Sequence, residues 1–498
     1  MKAVVIGAGV GGLTTAALLA KAGLEVTVLE AHTYPGGSAG TFFHKGYRFD
    51  AGATLLAGFD PDGIFPRLEK WLGVAFPVRK LDEGEGLMRV WLPDGRTVDR
   101  PVGRKYELEA QLETFGPSVK PFWEWQERRA RALWSVAEGL PFPPADAREF
   151  VRLAQRGLPW ALQNLRDLPG ILADFVKRPS SHAPSDPAFQ RFLDAQLLIA
   201  SQADAAHTYA LFGAACLDLP HRGPAIPKGG TGAIAQTLAK AVQQHGGQVL
   251  YRHRAKKLIV QNGEVKAVEI ALGGRRRGEK ERLGADLFVA NLTPGDLAAL
   301  TPQPGTHNPP HDGWGAFMIH AAIPESAIPP GPPYRQWAGD GDWTFISLSD
   351  AGDPSRGPGG TRVLSASVHT SLSEWRGLKE DEYEAKKKLW QDRVVAQVER
   401  IIPGFRESSA LILGATPRTF EFYTSRRDGW VGGYPQIHPL RTPSPRTSFT
   451  NLFRVGETIF PGQSVPAVAM GGLRAAELVL SRLGGRSEPA THPGEPNV

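Results

Sequence analysis

Cysteine is almost missing from this chain of 498 residues: Cys216 stands alone. One thiol cannot close an intrachain disulfide, and it excludes iron–sulfur clusters and cysteine-ligated zinc built within the chain. A reducing compartment, the cytoplasm, is the natural expectation. The short signatures of the common hydrolases are missing too. There is no His-Glu-x-x-His zinc helix, no Gly-x-Ser-x-Gly nucleophile turn, and no cysteine set with a histidine as a nucleophile. His307 and His311 lie four apart, but Asn308, Pro309 and Pro310 between them prevent the helical turn that would aim both at one metal. No metal site is expected. Long apolar runs are scarce as well. Only residues 3–20 lack charge over a useful length, and Gly7, Gly9, Gly11 and Gly12 interrupt that run where a spanning helix needs bulk, so neither a signal peptide nor a membrane span is expected.

What remains is ordinary globular material, with 41% hydrophobic and 22% charged residues, long enough for two packed domains with a ligand between them. The surplus of 57 Lys and Arg over 51 Asp and Glu is compatible with an anionic surface, although most such surplus is merely solvated. The basic run Arg275, Arg276, Arg277, Lys280 and Arg282 reads first as a solvated loop and second as a lipid contact. Without interleaved aromatics it gives no support to a nucleic-acid partner, and none is expected.

The clearest chemistry sits at the start. Residues 2–6 are mostly β-branched and apolar, then come Gly7, Gly9, Gly11 and Gly12, and residues 13–21 form an Ala/Leu-rich helical stretch. In a strand–turn–helix of this kind Gly7 makes the bend, Gly9 lets the backbone approach a pyrophosphate, and Gly12 lets helix and strand close up. The free N–H groups of the helix start favour the phosphates. A second strand over 25–30 ends in Glu30, 18 residues past Gly12, where a carboxylate accepts from both ribose hydroxyls and repels a 2′-phosphate. A dinucleotide without that phosphate is therefore expected.

Directly after Glu30 follow Pro35, Gly36, Gly37 and Ser38, then Phe49, Asp50, Gly52 and Thr54. Near the other end stand Val455, Gly456, Glu457, Pro461, Gly462, Gln463 and Ser464, followed by Gly471 and Gly472. Together these segments resemble the carotenoid desaturases and isomerases within the amine-oxidase-like flavoproteins, most closely the bacterial carotenoid 3,4-desaturases. The resemblance is densest over 1–54, 224–292 and 451–484. It implies FAD as cofactor, with Gly36, Gly37 and Ser38 against the pyrophosphate and ribityl chain, Ala255 beside the adenine, and Glu457 on the ribityl side, where an aspartate is more frequent. It also implies a helix beginning at Gly471–Gly472 whose dipole faces the flavin ring. The expected cofactor-binding residues are Gly7, Gly9, Gly12, Glu30, Gly36, Gly37, Ser38, Thr54, Ala255, Gly456 and Glu457; no catalytic side chain is assigned.

A second glycine cluster, Gly229, Gly230 and Gly232, can be written as a nucleotide turn, but it follows Pro227 and Lys228 instead of a β-branched strand. Capping of a helix over 233–244 is the stronger reading. Beyond it, Asn262–Gly263 between alternating apolar runs predicts a hairpin.

Because both ends carry flavin motifs, the expected class is α/β: a discontinuous Rossmann-like FAD-binding domain (1–75, 222–300, 411–484), an α+β substrate-binding domain (76–221, 301–410) and a membrane-proximal helical region (147–178). A disordered tail is expected over 485–498. In that helical region Arg148, Arg152 and Arg156 share a stripe and Phe150, Val151, Leu153 and Ala154 lie away from it. The pattern suits either an interfacial helix or a surface helix packed on its own core. If the substrate is a carotenoid, moving about forty apolar carbons into water costs roughly 30 kcal/mol at ~0.8 kcal/mol per carbon, so peripheral contact with the cytoplasmic membrane is implied.

The activity implied is C-3,4 dehydrogenation of an acyclic carotenoid with a 1-hydroxylated end group, by hydride transfer to flavin. Within the family the alternatives are a carotene cis–trans isomerase and a phytoene desaturase. Further off stands a non-catalytic prenyl-binding protein of the Rab-escort or GDP-dissociation-inhibitor type, which Glu30 and the complete closing motif disfavour. A flavin amine oxidase often holds its flavin through a C-terminal cysteine, and this chain has no cysteine after 216.

Overall fold

The computed structural model describes residues 1–140, 144, 147–301, 313–339, 343–438 and 442–483. His307, His311 and the tail 485–498 lie outside the described residues, as does the side chain of Arg148. Two sheets frame the molecule. The first has five parallel strands in the order Leu452–Arg454, Leu287–Ala290, Lys2–Ile6, Glu25–Glu30, Gln248–Tyr251. Its central strands Lys2–Ile6 and Leu287–Ala290 are short, apolar and buried apart from Lys2, as a sheet covered on both faces requires. Helix Val10–Lys21 packs between Gly232–Gln244 and Val465–Arg482, so residues from the two ends of the chain meet in one core.

The last of these helices starts earlier than expected. Ser464 caps it, its Oγ accepting from the Ala467 N–H at 3.2 Å, and Pro466 sits in its first turn, so Gly471 and Gly472 fall in the helix interior. They serve packing: a methyl on Gly472 would meet the Gly11 carbonyl oxygen at 2.4 Å. Glycine is needed there to let two helices touch backbone to backbone, and the dipole that faces the cavity belongs to Val465.

The second sheet has seven strands in the order Leu411–Ala415, Trp314–Pro324, Thr361–Ser371, Trp343–Leu348, Tyr334–Ala338, Gly86–Trp91, Thr97–Pro101. Strand Leu411–Ala415 pairs antiparallel with Trp314–Pro324 and so joins this sheet, although the division above counts it with the cofactor unit. Phe317, Ile319, Ala321, Ile346, Leu364 and Ala366 turn one face onto helix Glu380–Glu399, which contributes Val394, Val395 and Val398. Over strands Tyr334–Ala338 and Gly86–Trp91 the opposite face packs on helix Pro187–Ser201, where Gln336 Nε2 donates to the Ala195 carbonyl at 3.0 Å, while over Leu411–Ala415, Trp314–Pro324 and Thr361–Ser371 it borders a cavity. A smaller meander, His253–Gln261, Glu264–Leu272 and Lys280–Gly284, carries the predicted hairpin, with Asn262 and Gly263 both at positive φ (52° and 73°). In its second loop Arg276 pairs with Glu279 and Glu281 at the surface.

Candidate functional site

Four parallel strands end at one crevice, and the residue that follows or closes each is a candidate ligand group. Ile6 leads into Gly7, Ala290 into Asn291, and Arg454 into Val455 and Gly456, while Glu30 itself closes the second strand. Ligands in open parallel sheets bind beyond these carboxyl ends. Gly7 has a positive φ of 97°, which suits a residue without a Cβ. A methyl on Gly12 would sit 2.4 Å from the Gly7 carbonyl oxygen and 2.9 Å from Asn291 Cβ, so Gly12 packs the turn and does not line the crevice. Glu30 Oε2 accepts from the Ala8 N–H and Oε1 from the His32 N–H, both at 2.8 Å. Burial pushes its carboxyl above the ordinary range, and these N–H groups oppose the shift.

Over this turn lies the Pro-Gly-Gly loop. Gly36 (φ 119°) donates its N–H to the Ala8 carbonyl at 2.9 Å, and Gly37 follows at φ 55°. Ser38 Oγ is buried with no hydrogen-bond partner among the described residues. Thr54 lines the same space and offers its carbonyl to the Tyr334 hydroxyl at 3.1 Å. Ala255 lines it from the meander strand, just before a register shift at Lys257. Gly456 (φ 120°) and Glu457 close the circle; Glu457 Oε1 accepts from Arg426 Nη1 at 2.5 Å. Burial raises the Glu457 carboxyl, and Arg426 opposes the shift.

These residues border one cavity of about 1390 Å³, and of the eleven expected cofactor-binding positions only Gly12 stands behind its wall. An orphaned buried hydroxyl at Ser38, a glycine cradle at Gly7, Gly9 and Gly36, and two carboxylates at Glu30 and Glu457 form a chemically suitable lining for a dinucleotide. The cavity runs on past this cradle to the part of the seven-stranded sheet that helix Pro187–Ser201 leaves uncovered. There Ala316, Met318, His320, Phe345, Ser367 and His369 line it. His320 Nδ1 lies 3.1 Å from Ser365 Oγ, and its ring meets the edge of Phe42 with centroids 5.1 Å apart. Burial holds the imidazoles of His320 and His369 at about 4, so both are neutral at physiological pH.

The second glycine cluster is a joint. Asp50 Oδ1 accepts from the Thr231 N–H at 2.7 Å, Thr41 Oγ1 from the Gly232 N–H at 2.9 Å, and Arg356 Nη2 reaches Asp50 Oδ2 at 2.8 Å. A methyl on Gly230 would meet Asp50 Oδ1 and Thr41 Oγ1 at 2.5 Å. The protein's own carboxylate thus occupies the place that a nucleotide phosphate would need. Several contributors carry no local signal in the sequence. Asn291, whose Nδ2 would lie 2.4 Å from a methyl on Gly9, follows an unremarked apolar strand. Arg426 and Arg356 sit in irregular segments, and only the pairing with Glu457 and Asp50 marks them out.

The family model described as flavin containing amine oxidoreductase matches residues 10–480. The chain belongs to this family. It is an FAD-dependent oxidoreductase. Among its relatives are the chloroplastic prolycopene isomerase of Daucus carota, 28% identical over 510 residues that span 97% of this chain and 80% of that one, and the lycopene-forming phytoene desaturase of Pseudescherichia vulneris, 26% identical over 525 residues, spanning 97% and 99%. The fold matches that of an oxidoreductase from Methanosarcina mazei with a TM-score of 0.60 and 19% identity, covering 95% of this chain and 99% of that one.

Proposed function

We propose that this oxidoreductase acts on a carotenoid, and that its reaction is dehydrogenation at C-3,4 of an acyclic end group bearing a 1-hydroxyl. The observation that carries this reading is a single cavity joining the dinucleotide cradle to a sheet face whose lining is largely apolar, as a polyene requires. Relatives named for carotenoid chemistry along almost the whole chain support it.

In this reading Glu30 binds the adenosine ribose, Gly7, Gly9, Gly36, Gly37 and Ser38 hold the pyrophosphate, Ala255 borders the adenine, Thr54 and Gly456 shape the wall, and Glu457 keeps its second carboxylate oxygen for a ribityl hydroxyl. Bound FAD supplies the acceptor for a hydride taken from an allylic C–H. The chain's own task is to exclude water and align the polyene, with Met318, Ala316 and Phe345 as its contact surface. Anaerobic incubation of FAD-loaded protein and liposomes with an acyclic 1-hydroxy carotenoid tests this. Flavin bleaching with a product two mass units lighter is expected; unchanged mass with a new cis–trans composition would replace the desaturase with an isomerase, the reading that the prolycopene isomerase relatives favour.

Membrane contact follows from the same substrate. Helices Ala147–Gln163 and Leu168–Asp174 turn Glu149 inward to pair with Arg474, while Phe150, Val151, Leu158, Leu162, Leu165, Leu172 and Val176 point to solvent, each more than half exposed. Seven of the thirteen large exposed hydrophobics among the described residues thus crowd into one short region, the mark of an interaction surface. No described helix is long and apolar enough to cross a membrane, so the contact proposed is peripheral. Leu158→Asp combined with Leu162→Asp is expected to cut co-sedimentation with anionic liposomes at least tenfold while leaving FAD bound; full retention would refute the contact.

A further inference from the structure

Where the seven-stranded sheet borders the cavity, strand Thr361–Ser371 presents two polar side chains to it. On strand Thr361–Ser371, Ser367 and His369 lie opposite Met318 and Ala316, and all four line the cavity. Two residues apart on one strand, Ser367 and His369 project the same way, about 7 Å from each other. Neither has a hydrogen-bond partner among the described residues. His369 meets only the edge of the Trp314 ring, with centroids 5.8 Å apart, and Trp314 commits its own indole N–H to the Gln202 carbonyl at 3.1 Å. His320, the third polar group along this face, differs: Ser365, Phe42 and Phe49 hold it in place.

A wall built only for hydrocarbon gains nothing from such a pair. Burying a polar group without a partner is destabilising, and covering Ser367 and His369 with a bare polyene would incur that penalty twice. An alcohol removes it. A neutral imidazole has one N–H and one acceptor nitrogen, a serine hydroxyl both donates and accepts, and a substrate hydroxyl set between them donates to one and accepts from the other. We propose that Ser367 and His369 form a specificity site for an alcohol at one end of the polyene, so that the enzyme selects hydroxylated acyclic carotenoids over the parent hydrocarbons. This rests on the carotenoid reading above and adds the residues that would discriminate within that class. A site that hydrogen-bonds a hydroxyl rejects the analogue lacking it far more strongly than an apolar pocket rejects a missing methylene.

The test compares wild type, His369→Leu/Ser367→Ala and His369→Gln. FAD affinity is measured first by flavin fluorescence. Initial rates follow in liposomes containing either an acyclic carotenoid alcohol or its hydrocarbon parent. The double variant is expected to keep FAD affinity within about twofold, to lose about 10- to 100-fold in kcat/KM on the alcohol, mainly through KM, and to lose nothing on the hydrocarbon; His369→Gln should recover part of the loss. Equal losses on both substrates, weakened FAD binding, or a wild type that does not prefer the alcohol would each overturn the proposal while leaving the carotenoid reading intact. A wild type that changes neither carotenoid and shows no shift in carotenoid absorbance on mixing would overturn both, before any variant is made.

Discussion

The parallel sheet and the seven-stranded sheet face one cavity and build their walls from different material. On the parallel side the contributions are in good part backbone geometry: positive φ at Gly7, Gly36, Gly37 and Gly456, and the first turn of helix Val10–Lys21. On the other side they are single side chains at alternate positions of strands far apart in the chain, such as Met318, Phe345, Ser367 and Leu413. On the proposed reading, a charged, extended cofactor would be held largely by main chain that leaves little room for added atoms, and an apolar substrate by shape, which many side chains can supply. The first wall should therefore fail at single atoms, and the second should tune.

The largest effect that would sharpen this contrast is at Gly12. Gly12→Val places carbon against the Gly7 carbonyl and Asn291, neither of which can yield without opening the turn. FAD binding should fall by more than about 100-fold, so that the purified protein lacks flavin absorbance, whereas Met318→Leu should stay fully loaded. A yellow Gly12→Val protein would break the comparison.

Next comes the joint between the walls. Asp50→Ala leaves Arg356 buried without its carboxylate and frees the Thr231 N–H. A loss of about 3–5 kcal/mol is expected, as for other broken buried pairs, read as a lower urea midpoint. Asp50→Asn, which keeps the acceptor and loses the charge, should cost less.

A smaller effect attends Glu30. Glu30→Ala should weaken FAD by about 10- to 100-fold, the worth of one or two charge-assisted hydrogen bonds. Acidity tests the same group in the intact protein. Burial raises the carboxyls of Glu30 and Glu457, so the empty protein favours their protonated forms, whereas hydroxyl donors of the cofactor favour the carboxylates. FAD binding should then release protons and weaken as pH falls from neutrality toward the raised values. Titrations between pH 8 and 5 read this directly, and a flat profile would contradict it.

The smallest effect lies on the seven-stranded side of the cavity. His320 and His369 fall from the ordinary 6.5 to about 4 on folding, because burial disfavours their charged forms. A lowered histidine contributes stability that is fully present above 6.5 and drains away as pH falls through 6.5 toward 4. Urea midpoints should therefore drop between pH 7 and 5. His320→Phe should flatten that slope, and an unchanged slope would count against a dry environment for the ring.

How far the site can be read from the chain follows the same division. The turn at Gly7, Gly9 and Gly12 and the acid at Glu30 are local patterns whose spacing is dictated by backbone closure, and the structure places Gly7, Gly9 and Glu30 at one crevice with Gly36, Ser38 and Glu457, with Gly12 packed behind it. The asparagine–glycine hairpin is equally local, since two consecutive positive φ values need those residues. The start of the final helix was less legible: Gly471 and Gly472 look like a helix boundary, but the Ser464 cap and Pro466 outweigh them, and the glycines answer to a neighbouring helix that no local rule can see. Asn291, Arg356 and Arg426 acquire their roles only from partners 284, 306 and 31 residues away, respectively Gly7, Asp50 and Glu457.

Local chain chemistry is enough to specify the strand–turn–helix at the start, because short-range sterics leave few alternatives for its glycines, whereas the closing segment around Gly456 and Glu457 is legible through its resemblance to the flavoproteins. That Asp50 fills the second glycine cluster, that Arg426 accompanies Glu457, and that Ser367 and His369 share a cavity wall with no hydrogen-bond partner among the described residues are matters of tertiary packing. Each of these depends on strand register and helix contact between distant segments, and a one-residue slip of Thr361–Ser371 would have turned Ser367 and His369 onto the helix-covered face.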